Sequence, residues 1–367
     1  MINPIYQEGE ELLLNPLGSK YLVASAHTYV NSSEFVVQED SIISVLTGGD
    51  SSVAANDIDY KSSMGLSGVT LKQGALIVAP RGESFQSMTI DSGSIMAYNS
   101  ISGGVKPSGS VPLLLDTYPD ASAAYSLRKL RNDYAGDAIE VRIDTATTPQ
   151  PSYNIGFDSD GNLDTADLLS KAGSNDAYVA VWYDQSGNDN NATQVSATLQ
   201  PQIVNLGVVV TDNGLPTIDY STSGNDYLSL TTRLVNVGSA FLIYNAEISS
   251  GTNTQLLLGD TSSYNYHAGS GDNILNGSFS APSVYNGSNY INSISKNFTN
   301  TIRPTVQSLI SMIHTSSTNA VSQLTKDRNF SGRSWKGNMQ EVILYPSDQT
   351  SNRVAIETNI NTHYTIY

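Results

Sequence analysis

Apolar runs in this 367-residue chain are short, rich in β-branched residues, and separated by clusters of Gly, Asn, Asp and Ser. That punctuation specifies strands and turns and leaves little room for long helices. FVVQEDSIISVL (Phe35–Leu46), VTLKQGALIVA (Val69–Ala79), AYVAVWY (Ala177–Tyr183), SAFLIYNAEI (Ser239–Ile248), SLISMI (Ser308–Ile313) and MQEVILY (Met339–Tyr345) all read as strands. Shorter strands are expected at Gly207–Val210 and Thr254–Gly259. In Ser87–Tyr98 the Asp91-Ser92-Gly93-Ser94 cluster reads as the turn of a hairpin.

Two segments break the pattern. Ala123, Leu127, Leu130 and Tyr134 fall at helical spacing, which predicts a helix over Asp120–Tyr134, capped by Asp120 or Ser122 and ended by Gly136. Ile356, Ile360 and Tyr364 share one face of a second predicted helix, Ser351–Tyr364. Between the early and later strands, SGGVKPSGSVP has almost no side chain to bury and reads as a linker over 102–112. The expected organisation is a small β-domain over 1–101 and a larger one over 113–367. The fold class is mostly β, the larger domain a two-sheet antiparallel jelly-roll sandwich with two peripheral helices.

Only 14% of residues are charged, yet 34 acidic side chains face 18 basic ones, a net charge of −16. Such a balance argues against nucleic acid as a partner, and against docking on an anionic membrane. With no cysteine, disulfides and thiolate metal sites are excluded. The N-terminal MINPIYQEGEELLL is acidic, and its apolar run is too short for a signal peptide or a membrane span. Synthesis in a cytoplasm without a signal peptide is the expectation.

Candidate chemistry concentrates in WYDQSGNDNNATQ (Trp182–Gln194), where a strand gives way to a polar loop. Tyr183 offers a flat face for stacking on a sugar ring, and Asp184, Asn188 and Asn190 offer donors and acceptors for hydroxyls. Trp182 and Tyr183 point to opposite faces of the strand, so one of them belongs to the core. Trp335, beside Lys336, is a second candidate aromatic. For Trp335 the alternative is packing under the final helix; for the polar residues it is tying down the loop. In FDSDGNLD, Asp158, Asp160, Asn162 and Asp164 alternate like the start of a calcium loop. Leu163 and Leu169 stand where such a loop needs Gly and Glu, so a turn at Asp160-Gly161 is favoured, with calcium as the alternative and otherwise no cofactor. His27, His267, His314 and His363 have no zinc-type spacing, and no phosphate-binding or nucleophile-elbow motif occurs.

AYSLRKLRNDYAGDAIEVR (Ala124–Arg142) and WYDQSGNDNNATQ, followed in order by QPQIV, DNGLPTIDY and NDYLSL, resemble the laminin-G/concanavalin-like sandwich modules of bacteriophage virion proteins. They also resemble catalytic modules of the α-L-arabinofuranosidase B type. The closing WKGNMQEVILYPSDQTSNRVAIETNINTHYTIY is similar to the last strand and helix of the phage modules. Residues 1–101 resemble the N-terminal domains of head-fibre and decoration proteins. The resemblance implies a virion-surface structural protein, a capsid head fibre or decoration or a tail-fibre component. It would be anchored to other virion proteins and trimerised by 1–101, displaying a glycan-binding-like sandwich. The alternative is a glycoside hydrolase. That chemistry needs two carboxyls at a set separation. Glu247 and Glu341 sit in apolar strands, but neither matches an identifiable acid or nucleophile, so the expectation is that the chain is not an enzyme.

Overall fold

The computed structural model describes residues 12–13, 19–23, 32–49, 58–63, 66–78, 84–99, 112–221, 224–247, 257–269 and 271–367. The linker expected over 102–112 (all but its last residue), His27 and Thr254–Leu256 lie outside these residues. The chain divides into two compact units, Met1–Gly109 and Ser110–Tyr367.

The first unit is built on two long antiparallel strands, Ser32–Gly49 and Ser84–Asn99. Ile58–Asp59, Thr70–Leu71 and Leu76–Val78 pair with the former, and Ser19–Val23 with the latter. Phe35, Val37 and Ile43 are buried at odd positions, while Leu46 is buried at an even one. A register irregularity between Ile43 and Val45 accounts for that change of face, since each bulge shifts the alternation by one. The hairpin expected at Asp91–Ser94 does not form. Ser84–Asn99 is one continuous strand, with Ser92 opposite Ile42 and Ser94 opposite Glu39. Bulges absorb the irregular Asp-Ser-Gly-Ser spacing, and an 18-residue partner strand offers a continuous edge.

The second unit is an antiparallel sandwich. Its first elements are β1 (Ala123–Ser126), β2 (Ile139–Ile143), β3 (Ser152–Ile155), helix α1 (Thr165–Ala172), β4 (Ala177–Trp182), β5 (Ala192–Thr193), β6 (Gln202–Asn205) and β7 (Ile218–Asp219). Then come β8 (Leu228–Val237), β9 (Ser239–Ala246), β10 (Leu258–Gly259), β11 (Ser288–Ile291), β12 (Ser308–Ile313), β13 (Asn319–Leu324), β14 (Gly337–Tyr345) and helix α2 (Arg353–Tyr364). The strands are hydrogen-bonded in the order β10-β13-β8-β5-β4-β6-β7-β14-β9-β12-β11, with β1 added to β14 and β2 to β4.

Two apolar layers explain the unbroken hydrophobic runs of β9, β12 and β14. In β9, Ala240, Leu242 and Tyr244 face the main core, whereas Phe241 and Ile243 face a second layer. That second layer is closed by Ile356, Ile360 and Tyr364 of α2, the stripe read from the sequence. Each buried Leu, Ile or Phe contributes roughly 1.5–3 kcal/mol, so both layers matter to stability.

The helix expected over Asp120–Tyr134 is absent. Asp120 has φ +69°, outside the range of a helix cap, and the chain continues as β1, paired with β14 from Leu344 to Glu341. Ala123 and Tyr125 face the main core and Ala124 the second layer, so the segment buries both sides where a surface helix would bury one stripe. A helix does form further along the chain, α1. Asp164 caps it, Oδ1 accepting from the Asp167 amide at 2.9 Å, and Gly173 follows it at φ +58°.

Candidate functional site

The YDQSGN loop stitches the sandwich together. Asp184 Oδ1 accepts from the amides of Ala124 (2.8 Å) and Ser186 (2.9 Å). Its Oδ2 accepts from Ser186 Oγ (2.7 Å) and the Asn190 amide (3.0 Å). Gln185 accepts from the Leu130 amide at 2.8 Å and donates to the carbonyls of Ser126 and Arg128. Asn190 donates to the Thr232 carbonyl and accepts from its amide, which ties the loop to β8. Asp184, Gln185 and Asn190 are therefore buried and engaged.

One aromatic of the Trp182-Tyr183 pair is core, as alternation requires. Trp182 is fully buried beside Tyr125, while Tyr183 is half-buried at the wall of a cleft of about 470 Å³. Tyr134, Asp137, Asn154, Asp189 and Asn191 line the same cleft. The Tyr183 hydroxyl donates to Asn154 Oδ1 at 2.9 Å. The Tyr134 ring folds back over Gly136, where any Cβ would lie 2.6 Å from the tyrosine hydroxyl, and that hydroxyl donates to the Asp137 carbonyl at 2.9 Å. Burial, helped by the negative fields of Asp184 and Asp137, pushes Tyr134 up to about 12. Burial, with Glu140 and Asp137 nearby, also raises Tyr183. Both hydroxyls are thus protonated donors at neutral pH.

The floor is set by Arg131. Its Nε and Nη2 reach Asp133 at 2.5 and 2.6 Å, and Nη1 donates to the Ser186 carbonyl at 3.0 Å. Gly187, at φ +94°, makes that approach possible, because a Cβ there would sit 2.6 Å from Nη1. The hydrogen bonds from Arg131 hold the Asp133 carboxyl below the usual carboxylate range. By contrast, among the described residues the carboxylates of Asp137 and Asp189 have no hydrogen-bond donor and no paired cation. An adjoining cleft of about 400 Å³ shares Arg131 and Asp133 and is edged by Asn188. A third, of about 480 Å³, is lined by Arg142, which stacks 4.7 Å over Tyr178 and donates to Gln200.

Of the candidate residues read from the sequence, Tyr183 and Asp184 line the Tyr134–Tyr183 cleft, the latter with its carboxylate already spent. Asn188 is exposed at the second cleft and donates to the Ala121 carbonyl at 2.9 Å. Asn190 is buried. Trp335 presents no face to a ligand. It is 1% exposed in the main core, with Tyr244 at 5.3 Å and Tyr220 at 6.3 Å, away from the layer under α2. Gly337, at φ +139°, lets β14 pass directly over its ring.

Asp158, Asp160, Asn162 and Asp164 surround a hairpin turn. Phe157 and Leu163 bridge it, Gly161 takes φ +81°, and Asp158 Oδ1 accepts from the amides of Asp160 and Asn162. Among the described residues, no three His, Asp or Glu side chains are gathered for a metal ion. Glu341 is fully buried against Arg128, and Glu247 is exposed at the end of β9. Tyr134, Asp137, Asn154 and Asp189 were missed by sequence reasoning. The one available signal was DYAGD inside the longest recognised motif, read there as a helix end.

No family model matches the chain, and no curated relative matches it. Solved structures similar to it include a GH54 α-L-arabinofuranosidase variant soaked with 4-nitrophenyl α-L-arabinofuranoside (13% identity, TM-score 0.41). An arabinofuranosidase complexed with arabinofuranosyl-α-1,2-xylobiose (15%, 0.39) and a GH54 enzyme soaked with a cyclic sulfate inhibitor (14%, 0.38) are also similar. Each likeness covers 65% of this chain and 62% of the other, so the chain spans less than two thirds of their length. All three are glycosidases, and the expectation that this chain is not an enzyme is withdrawn on that finding.

Proposed function

We propose that the second unit is a carbohydrate-active sandwich whose Tyr134–Tyr183 cleft takes a neutral glycan. The observation that carries this reading is the meeting, in one cleft, of two half-buried tyrosines with two unengaged carboxylates, Asp137 and Asp189. Tyrosine offers an apolar face and a donor at its tip, which suits a sugar ring and its hydroxyls. Asp133, Asp137, Asp184 and Asp189 against the single Arg131 make the cleft acidic, which disfavours anionic ligands. A pair of carboxyls flanking a bound sugar is also the equipment of glycosidic hydrolysis, so turnover is the second reading.

The experiment is reducing-end release from neutral arabinan and from bacterial surface polysaccharide, run beside a binding assay on the same material. Hydrolysis lost in both Asp137→Asn and Asp189→Asn, with binding kept, supports the enzyme. Binding without turnover supports recognition alone. Neither binding nor turnover on a broad panel of neutral glycans overturns the proposal.

The setting belongs to the proposal too, and its support is the sequence resemblance. The chain would sit on a virion surface, self-associated through residues 1–101, where many copies compensate for a weak single site. Light scattering on the whole chain tests it, with a trimer expected and a monomer contradicting it.

A further inference from the structure

The loop between β13 and β14 concentrates positive charge on an acidic protein. Lys326, Arg328, Arg333 and Lys336 fall within it against one acid, Asp327, in a chain carrying 34 acidic and 18 basic residues. Hydrogen bonds from the Asp327 amide to the Arg333 carbonyl (2.9 Å) and from the Phe330 amide to the Asp327 carbonyl (3.0 Å) close the loop tightly. Asp327 is fully buried and takes Arg328 Nε at 2.8 Å and Arg333 Nη1 at 3.1 Å, so two guanidiniums share one carboxylate. One positive charge is left over. Among the described residues, Arg328 Nη1 and Arg333 Nε and Nη2 have no acceptor.

Aromatic rings hold these guanidiniums at the surface. Arg328 lies 4.9 Å over Tyr264 and 4.7 Å over Phe330, and Arg333 lies 4.4 Å over Phe330. Tyr264, Phe279 and Phe330 are 45%, 52% and 45% exposed, so part of each ring is open to solvent beside the guanidiniums. The stacked guanidiniums of Arg328 and Arg333 remain 27% and 39% exposed, and a planar guanidinium with open N–H groups suits a carboxylate. The band also connects to the cleft loop: Asn190 bonds the backbone of Thr232, the neighbouring Arg233 pairs with Asp260, and Asp260 bridges Asp327.

We propose that the Tyr264–Phe330–Arg333 band is a second glycan site, selective for carboxylated sugars, a polyuronate. A polyuronate supplies one carboxylate per sugar for the free guanidinium edges and apolar ring faces for Tyr264 and Phe279. Nucleic acid supplies phosphate at much higher charge density, which a chain of net charge −16 repels. The site is independent of the Tyr183 cleft and stands or falls without it.

The test is affinity electrophoresis of the full chain in gels containing polygalacturonate, fully methyl-esterified polygalacturonate or dextran. The native chain should be retarded by polygalacturonate alone, and the retardation should vanish at high salt. Asn329→Glu with Ser331→Glu places two negative charges at exposed positions beside the guanidiniums without touching Asp327. This variant should weaken binding about tenfold, as like charge at an interface rim does. Tyr183→Ala should bind polygalacturonate as the native chain does. Equal retardation by the esterified polymer, salt-insensitive retardation, no retardation, or unchanged binding in the double variant overturns the proposal. So does tighter binding of a single-stranded oligonucleotide.

Discussion

Arg128 and Glu341 form a two-pronged ion pair in the interior of the sandwich, Nε to Oε2 at 2.8 Å and Nη2 to Oε1 at 3.1 Å. Burial works against the Arg128 charge, but Glu341 outweighs it and raises the guanidinium. Ser126 Oγ and Tyr364 add hydrogen bonds to the same carboxylate, so the pair joins β1, β14 and α2. Glu341 therefore has no vacancy for a substrate.

Removing one partner strands the other. Glu341→Gln and Arg128→Met should each cost roughly 3–5 kcal/mol, whereas Arg128→Met with Glu341→Leu should cost clearly less than either single change. Thermal denaturation of the three variants checks this. Equal losses across all three would show that packing, not the pair, holds the elements together.

The stitching role of Asp184 gives a second expectation. Asp184→Asn turns an acceptor-only group facing four donors into one with a single acceptor oxygen. Roughly 2–3 kcal/mol should be lost. A melting temperature within a degree of the native value would refute the account of the YDQSGN loop.

His314 makes stability depend on pH. Its Nδ1 lies 2.9 Å from the Val237 carbonyl, and its buried Nε2 has no hydrogen-bond partner among the described residues. Burial lowers its pKa from 6.5 to about 4. The unfolded chain thus binds a proton that the folded chain refuses, so this contribution is complete above about 6.5 and lost as pH falls toward about 4. The loss should be on the order of 3 kcal/mol. His314→Asn keeps a donor and does not titrate. Urea melts between those pH values should show a shallower slope in that variant, and an unchanged slope would clear His314 of the effect.

How much of this was legible in the sequence depends on how local the cause was. The α2 stripe and the division of labour between Trp182 and Tyr183 follow from periodicity alone, and both stand in the structure. The Asp120–Tyr134 segment misled because Leu127 and Leu130 happen to fall at helical spacing, while burial on both faces is a tertiary fact. Trp335 sits among polar neighbours in sequence, yet Tyr220 and Tyr244 enclose it from distant strands. Asp137 and Asp189 line one cleft because the YDQSGN loop is bonded to the segment after β1, Gln185 to the Leu130 amide and the Ser186 carbonyl to Arg131. No local pattern encodes that encounter.

The central claim is that the Tyr134–Tyr183 cleft holds a neutral glycan, and titration calorimetry with the best-bound glycan of a panel tests it most directly. Tyr183 gives up a single hydrogen bond, to the exposed Asn154, so Tyr183→Ala should leave the melting temperature nearly unchanged. The account predicts that this variant loses at least about tenfold in affinity, the scale of one lost aromatic contact and hydroxyl. Full affinity in Tyr183→Ala, with the fold intact, would contradict it.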